Sequence, residues 1–273
     1  MNRLDGKVAI VSGSGRGIGS AVALKLAREG ASVVVNDLDP GPAEDVVELI
    51  HQAGGRAVAC VGDVTSPDFG ERFVRHALDT FGGLDIIVNN AGYTRDGLIG
   101  KQSDEQFQSM LDVHLSAPFR ILRAAAEPLR AMAKSEAAEG REVLRKVVNV
   151  SSIAGVFGNA GQVNYAAAKA GVIGMTKTLS QEWARWRVCV NCVAFGFIDT
   201  RLTRSSHRGE TGVPGDSIGI GIPDNARSAL LAKIPLGRAG TAEEAAGGVY
   251  MLCAPESDYV TGQTLVVAGG LTI

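Results

Sequence analysis

Cysteine is scarce in this sequence. Its 273 residues include only four cysteines, too few to cross-link a chain of this length into a disulfide scaffold. Cys189 and Cys192 form a C-x-x-C pattern, but they lie in the strand-like run VCVNC. Residues three apart on a strand point to opposite faces, so the pair suits neither a metal site nor a redox site. We predict that both are buried thiols of the core, and we predict no metal site.

The sequence also lacks strong net charge and long apolar runs. Its 27 basic and 29 acidic side chains give a formal net charge of −2, which offers no electrostatic basis for binding nucleic acid or an anionic membrane. No apolar run reaches the roughly 18 residues of a membrane-spanning helix, and the start MNRLDGKVAI does not resemble a signal peptide. We therefore expect a cytoplasmic protein with no nucleic-acid or membrane partner.

What the sequence does contain is a regular alternation of strand-like and helix-like segments. This alternation is typical of α/β proteins with a parallel sheet. Without a repeat, low-complexity tract or linker, 1–273 is predicted to be a single doubly wound, Rossmann-type domain with a seven-stranded parallel sheet. The segment 104–132 predicts one long helix, and the polar segment 133–145 extends it or forms an exposed loop. The predicted strands are 7–11, 33–36, 57–61, 84–88, 147–151, 188–194 and 264–267.

A glycine-rich loop follows the first strand directly. Gly13, Gly17 and Gly19 have the spacing G-x-x-x-G-x-G, and a helical pattern follows. Glycines let the backbone approach a pyrophosphate, and a helix N-terminus supplies free N–H groups and the positive end of a dipole. The spacing differs from the G-x-G-x-x-G fingerprint. The loop, with Arg16 and Ile18 inside it, is nevertheless predicted to bind the phosphates of a dinucleotide.

An acidic residue ends the second strand. Asp37 lies 18 residues after Gly19, close to the position of a carboxylate that binds the hydroxyls of the adenosine ribose. Because a carboxylate repels a 2′-phosphate, NAD(H) is favoured. Arg16 could pair with that phosphate, which leaves NADP(H) open. The alternative for Asp37 is a helix cap before Pro40.

Two further polar turns follow predicted strands. Asp63 and Val64 come after the third strand, and Asn-Asn-Ala-Gly at 89–92 follows the fourth. Ligands of open parallel sheets bind at the carboxyl ends of the strands. Both turns are therefore expected to border the same site as the glycine loop.

A serine, a tyrosine and a lysine are the candidate catalytic residues. Tyr165 and Lys169 are four apart and share one face of a helix, while Ser152 leaves the strand before that helix. A phenol has a pKa of about 10, and an ammonium group beside it favours the phenolate. We predict that Lys169 lowers the pKa of Tyr165, that Tyr165 exchanges a proton with a substrate, and that Ser152 holds a carbonyl oxygen. The alternative is three ordinary residues of the fold, since each type is common.

The segment 201–225 has five glycines, two prolines and no clear period. A stretch of this length without regular structure is usually a lid, a binding loop or disorder. We interpret it as a substrate lid.

Assembled, these motifs resemble the short-chain dehydrogenase/reductase family from Gly6 to Gly270. The likeness rests on the glycine loop, on Asn-Asn-Ala-Gly, on Ser152 thirteen residues before Tyr165, and on Tyr-x-x-x-Lys. The segment Tyr-Val-Thr-Gly-Gln at 259–263 and the glycine pair at 269–270 are similar to the family's C-terminal signature.

The resemblance implies a role for each of these residues. Tyr165 would be the general acid/base, Ser152 would orient the substrate oxygen, and Lys169 would hold the nicotinamide ribose. Asp63, followed by Val64, would contact adenine. The family commonly forms homotetramers. The residues implied to line the cofactor further along the chain are Asn90, Ala91, Gly92, Ile198 and Thr200.

Two positions depart from the family pattern. His114, in Asp-Val-His-Leu at 112–115, stands where the family usually has a catalytic asparagine that acts largely through its main-chain carbonyl. His114 is therefore a candidate catalytic residue, and a packed core histidine is the alternative. Phe195-Gly196 stands where Pro-Gly is usual.

The finer likeness is to two groups within the family. Asn-Asp after the second strand, Val-His-Leu, and Gly-Asn-x-Gly-Gln-x-Asn-Tyr resemble the 3-oxoacyl-acyl carrier protein reductases and the (3R)-hydroxyacyl-CoA dehydrogenases. This implies an NAD(H)-dependent oxidoreductase of fatty acid metabolism, acting on a 3-oxoacyl or 3-hydroxyacyl thioester of coenzyme A or acyl carrier protein. Two alternatives stay open: the same chemistry on a steroid, polyol or cyclic diol, and a catalytically silent nucleotide sensor.

Overall fold

A parallel sheet forms the centre of the molecule. The computed structural model describes residues 2–201, 203–204 and 224–272. Its strands are β1 Val8–Val11, β2 Ser32–Val35, β3 Arg56–Ala59, β4 Ile86–Asn89, β5 Arg145–Ser152, β6 Val188–Phe195 and β7 Thr264–Val267. They pair in the order β3-β2-β1-β4-β5-β6-β7, all parallel, as predicted. The order reverses between β1 and β4, where open α/β sheets bind ligands.

Helices cover both faces of this sheet. Apart from Ser32 and Asn89, strands β1, β2 and β4 consist of valine, isoleucine and alanine, and they are buried along their whole length, as expected when helices lie on both sides. The helices are α1 Gly17–Arg28, α2 Pro40–Gln52, α3 Phe69–Phe81, α4 Asp104–Leu111, α5 Ala117–Ala138, α6 Ile153–Phe157, α7 Val163–Trp183, α8 Asp224–Leu231 and α9 Ala242–Cys253. None of the helices in the described ranges is both long enough and apolar enough to cross a membrane.

The apolar core lies in two layers, one on each face of the sheet. One layer is built from α1, α2 and α9 and includes Val22, Leu26, Ile50 and Val249. The other is built from α3, α5 and α7 and includes Phe69, Phe73, Ile121 and Trp183. The two layers fix the sheet from both sides, so the turns at its carboxyl edge start from a rigid base.

The long helix predicted over 104–132 is interrupted. It ends at Leu111 as α4, continues as a π-helix over 112–116, and resumes as α5, which extends to Ala138. The predicted extension of the helix into 133–145 is therefore confirmed. The prediction that the polar segment reaches residue 145 as helix or exposed loop is wrong. Arg145 is the first residue of β5 and is 3% exposed, because its guanidinium donates to both carboxylate oxygens of Glu136, with Nη1–Oε2 at 2.8 Å.

Ion pairs concentrate at the amino-terminal edge of the sheet. Lys7 Nζ lies 3.5 Å from Asp85 Oδ1, and these residues immediately precede β1 and β4. Lys146 Nζ, in β5, lies 2.8 Å from Asp258 Oδ1. The pair of Glu136 with Arg145 lies at the same edge, opposite the carboxyl edge that carries the turns of the candidate site.

The four cysteines are buried and free, which confirms the prediction for Cys189 and Cys192. The predicted lid, 201–225, lies almost entirely outside the described residues. Helix α8 lies where the sequence pattern predicts no helix or strand.

Candidate active site

The glycine loop lies so close to itself and to the turn after β4 that neither Gly13 nor Gly19 has room for a side chain. Gly13 has a φ of +60°, and a Cβ on it would lie 2.6 Å from the Cα of Ala91. A Cβ on Gly19 would lie 2.1 Å from the carbonyl oxygen of Gly13. Helix α1 starts at Gly17 without a side-chain cap, so its first turn can offer N–H groups to a phosphate. The loop fits the dinucleotide that the sequence predicts.

We expect Gly19→Ala to weaken NADH binding by at least tenfold, equivalent to about 1.4 kcal/mol. The added methyl group has no room beside Gly13, so the loop must change shape. Fluorescence titration with NADH measures the dissociation constant. Gly174→Ala in α7 is the matched control, because a Cβ there meets no atom within 4 Å; it should bind NADH as the parent does. Equal affinities in the two variants would contradict the assignment of the loop.

Hydrogen bonds that the sequence analysis missed hold the loop against the turn after β4. Ser12 Oγ accepts the N–H groups of Asn90 at 3.0 Å and Ala91 at 3.1 Å. Asn90 Nδ2 donates to the carbonyls of Ser12 at 3.0 Å and Gly13 at 2.9 Å. Asn36 Oδ1 accepts the N–H of Gly13 at 3.1 Å. Asn90 therefore shapes the predicted cofactor site by anchoring the loop. Ser12 and Asn36 could have been recognised in the sequence as structural residues of this site, because each is a polar residue at the end of a buried strand.

Asp37 closes the other side of the glycine loop. It is buried, and its carboxylate accepts from the Gly15 N–H at 3.2 Å, from Arg16 Nη1 at 3.1 Å and from the Asp39 N–H at 3.2 Å. The residue that precedes α2 is Asp39. Asp37 is therefore not the N-cap of this helix, and the alternative interpretation of Asp37 as a helix cap is wrong. Arg16 also contacts Asp39, with Nη2–Oδ2 at 2.9 Å. Its guanidinium is thus shared by two carboxylates.

The remaining predicted cofactor residues lie at the same edge of the sheet. Asp63 Oδ1 accepts the Thr65 N–H at 2.8 Å, which fixes the turn after β3, and Val64 beside it is buried. After β6, Ile198 is buried, and the Cγ2 of Thr200 would be 3.7 Å from a Cβ on Gly17. The segment 198–200 therefore lies against the start of α1, and its predicted contact with the cofactor stays a prediction.

Ser152, Tyr165 and Lys169 come together between β5 and α7. Ser152 is the last residue of β5 and precedes α6; its Oγ accepts the Ala154 N–H at 3.2 Å. Tyr165 lies in the first turn of α7, and Lys169 follows one turn later. Lys169 is 3% exposed, donates to the Val150 carbonyl at 2.7 Å, and places Nζ 5.6 Å from the centroid of the Tyr165 ring. The predicted group is therefore assembled.

The pKa of Tyr165 moves opposite to the prediction. Burial raises the pKa of Tyr165 to about 12, with the negative charge of Asp96 adding to the increase and a hydrogen bond with Ser152 opposing it. Burial also lowers the pKa of Lys169 to about 8. The expected lowering by Lys169 is not found: desolvation of the phenol is the largest effect on its pKa, and the hydrogen bond with Ser152 is what opposes it.

A second set of hydrogen bonds that the sequence did not predict holds the start of α7 in place. Gln162 Nε2 donates to Asp96 Oδ2 at 2.9 Å, and Asn164 Nδ2 donates to the Arg95 carbonyl at 2.9 Å. The Gly97 N–H donates to the Gly161 carbonyl at 2.7 Å. These bonds attach the turn after β4 to the segment that carries Tyr165.

His114 lies in the same group of side chains. It is buried in the π-helical segment, and its ring is perpendicular to that of Tyr165 with centroids 4.9 Å apart. Its Nε2 lies 2.6 Å from the Tyr93 carbonyl oxygen. Phe195, the other departure from the family pattern, is buried at the end of β6, where it is the register partner of Ser152.

A parallel sheet with a nucleotide cradle beside a serine, a tyrosine and a lysine defines a nicotinamide-dependent oxidoreductase. Comparison with known proteins agrees. A family model described as enoyl-(acyl carrier protein) reductase matches residues 13–272. The 3-oxoacyl-acyl-carrier-protein reductase FabG of Vibrio cholerae is 40% identical over 268 residues, which is 98% of each chain. FabG of Thermotoga maritima is 37% identical over 271 residues, covering 99% of this chain and 100% of the relative.

FabG of Pseudomonas aeruginosa is 40% identical over 98% of both chains. The chain belongs to the short-chain dehydrogenase/reductase family. It is accordingly an oxidoreductase that uses a nicotinamide cofactor and acts on CH–OH or keto groups.

Proposed function

We propose that this enzyme reduces 3-oxoacyl thioesters to 3-hydroxyacyl thioesters with NADH. The observation that carries the proposal is the convergence of Ser152, Tyr165 and Lys169 beside a loop that fits a dinucleotide. The relatives named as 3-oxoacyl-acyl-carrier-protein reductases match nearly end to end, which supports the 3-oxoacyl thioester as the substrate class.

The chain's own residues account for the proton transfer. The bound nicotinamide would supply a hydride to the carbonyl carbon. Tyr165 would give its hydroxyl proton to the oxygen as negative charge develops there. Ser152 Oγ accepts a backbone N–H, and its hydroxyl is hydrogen-bonded to Tyr165; its hydrogen would turn from the phenol to the same substrate oxygen and hold it. Lys169 would bind the nicotinamide ribose and offset the charge left on Tyr165.

The protonation state of Tyr165 supports the reductive direction. With a pKa of about 12, the phenol is protonated at neutral pH and can act as a proton donor. Oxidation of the alcohol needs the phenolate as a base, and the phenolate is scarce until the pH approaches that value.

The acidic residue at the end of β2 supports NAD(H) over NADP(H). Asp37 is held in place by Gly15, Arg16 and Asp39, so its carboxylate faces the glycine loop as a fixed negative charge. A 2′-phosphate would meet this charge, and Arg16 could pair with the phosphate only by giving up contacts with Asp37 and Asp39.

One observation favours a second activity, the reduction of an enoyl thioester. The matching family model carries that description. In enoyl reduction the hydride adds to a carbon–carbon double bond instead of a carbonyl carbon. The same family chemistry on a steroid, polyol or cyclic diol is the further alternative, because a shared fold does not identify a substrate.

We expect the enzyme to oxidise NADH with acetoacetyl-CoA, at a kcat/KM at least tenfold above that with NADPH, a difference of about 1.4 kcal/mol. Absorbance at the nicotinamide band measures both reactions. Crotonyl-CoA, the matched enoyl thioester, should give no turnover. Consumption of crotonyl-CoA in place of acetoacetyl-CoA would establish the enoyl activity, and no turnover of either would overturn the acyl thioester assignment.

The same assay tests the cofactor argument. Asp37→Ser should shift the ratio of kcat/KM values toward NADPH, because the charge that repels the phosphate is gone. Asp39→Ser removes a neighbouring carboxylate that also contacts Arg16 and is the matched control. An equal shift in both variants would assign the preference to Arg16 and not to Asp37.

The carrier and the assembly belong to the same proposal. The carrier is identified by comparing kcat/KM for the acetoacetyl thioester of coenzyme A with kcat/KM for that of acyl carrier protein. The names of the relatives support acyl carrier protein. A homotetramer and a cytoplasmic location stay predictions from the sequence, and sedimentation checks the first.

A further inference from the structure

His114 has hydrogen-bonding capacity that the surrounding protein does not use. The residue is 3% exposed. Its Nε2 lies 2.6 Å from the Tyr93 carbonyl oxygen, whereas Nδ1 is buried and has no hydrogen-bond partner among the described residues. A buried polar atom is normally paired, so an acceptor left open beside Tyr165 points to a role in the site.

The Tyr93 carbonyl determines which nitrogen carries the hydrogen. A carbonyl oxygen only accepts, so Nε2 must be the donor, and Nδ1 of the neutral ring is then an acceptor. Burial and the positive charge of Lys169 lower the pKa of His114 well below 6.5, against the opposing effect of the Tyr93 bond. The ring is therefore neutral at pH 7.

The imidazole is held on two sides. A Cβ on Gly92 would lie 2.1 Å from the Cε1 of His114 and 2.6 Å from its Nδ1, so the turn after β4 accommodates this ring only because residue 92 is glycine. On the other side the ring contacts Tyr165 at right angles, with centroids 4.9 Å apart. His114 thus connects the turn that carries Gly92 and Tyr93 to the phenol.

We propose that His114 is a positioning residue for Tyr165 that acts through its two nitrogens: the Tyr93 carbonyl fixes its Nε2–H tautomer, and Nδ1 serves as a hydrogen-bond acceptor inside the site, next to the phenol. The proposal deepens the proposed reductase function and rests on it. It assigns the positioning role to the imidazole side chain of residue 114, whereas the resemblance implies that the family's usual residue at this position acts through its main-chain carbonyl.

Two substitutions separate hydrogen bonding from packing. His114→Asn keeps a donor for the Tyr93 carbonyl and an acceptor, whereas His114→Phe keeps a ring and loses both nitrogens. We expect His114→Asn to retain kcat within tenfold, and His114→Phe to lower kcat at least a hundredfold with the NADH dissociation constant unchanged. His51→Phe is the control, because His51 Nε2 makes the same type of bond to the Ala57 carbonyl, at 2.9 Å, on α2; its kcat should equal that of the parent.

A kcat in His114→Phe equal to or above that in His114→Asn would overturn the proposal, because packing alone would then explain the residue. Loss of kcat in His51→Phe as well would have the same effect, since it would reveal a general loss of stability. Absence of turnover in the parent enzyme is a different result, which contradicts the proposed function.

Nitrogen NMR of the imidazoles tests the tautomer without any turnover. In protein labelled with nitrogen-15 at histidine, His114→Asn identifies the resonances of residue 114. We expect a protonated Nε2 and an unprotonated Nδ1 at pH 7. A proton on Nδ1, or on both nitrogens, would overturn the proposal whether or not the variants fold.

Discussion

Tyr165→Phe is expected to lower kcat for acetoacetyl-CoA reduction by about 10³-fold, within the range usual for loss of a general acid, and to leave the NADH dissociation constant within twofold of the parent. The substitution removes only the hydroxyl oxygen that donates the proton. The ring, its perpendicular contact with His114 and its position one turn before Lys169 are kept. Steady-state kinetics and fluorescence titration on the same preparation measure the two quantities.

Tyr259→Phe is the matched control for this experiment. Tyr259 is fully exposed at the surface, so loss of its hydroxyl should change neither quantity. If Tyr165→Phe kept kcat within tenfold of the parent, Tyr165 would not be the proton donor. If it lost NADH binding in proportion to kcat, its hydroxyl would be holding the cofactor and not transferring a proton.

Arg145→Ala is expected to lower the free energy of unfolding by about 3–5 kcal/mol, the cost of breaking a buried ion pair from one side. Glu136 is 9% exposed and Arg145 is 3% exposed, so the variant leaves a largely buried carboxylate without its guanidinium. Arg145 Nε also donates to the Leu84 carbonyl at 3.1 Å. Urea unfolding, with the midpoint and slope fitted together, measures the loss.

Arg130→Ala is the matched control for stability. Arg130 also pairs with a glutamate, Glu127, three residues away, but both side chains are more than half exposed. Such a pair contributes about 0.5 kcal/mol or less. Equal losses in Arg130→Ala and Arg145→Ala would mean that burial of the Glu136 pair has no energetic consequence.

The pH dependence of stability supplies an independent check on the Glu136 pair. The hydrogen bond from Arg145 lowers the pKa of Glu136 below 4.5 against the effect of desolvation. A group whose pKa is lower in the folded state stabilises that state above its unfolded pKa and loses this contribution as the pH falls through the folded value. The difference between the parent and Arg145→Ala should therefore be largest above about pH 5 and decrease toward pH 3.

The sequence predicts the sheet and the cofactor loop well because both are local patterns. Buried parallel strands are continuous apolar runs, and the close contact between the turn after β1 and the first turn of α1 requires glycine at Gly13 and Gly19, where no Cβ fits. Arg145 escaped prediction for the opposite reason. A charged residue in a polar segment gives no sign of burial until its partner is brought to it, and Glu136 reaches it only because α5 runs on to Ala138.

The site shows the same division between residue identity and environment. The spacing of Ser152, Tyr165 and Lys169 predicts that they meet, and they do. The direction of the Tyr165 pKa shift depends on how far the phenol is buried, and the distance from the Lys169 ammonium to the Tyr165 ring depends on the side-chain conformations that the surrounding packing selects. Neither quantity can be predicted from the four-residue spacing of Tyr165 and Lys169.

The two edges of the sheet offer separate targets for protein engineering. Along β5, Arg145 at one end and Ser152 at the other are seven residues apart, or about 23 Å at 3.3 Å per residue. Substitutions separated by more than about 10 Å usually have additive effects. Thermostability could therefore be raised at the ion pairs of the amino edge while directed evolution reshapes substrate preference at the carboxyl edge, and gains from the two libraries should combine without mutual loss.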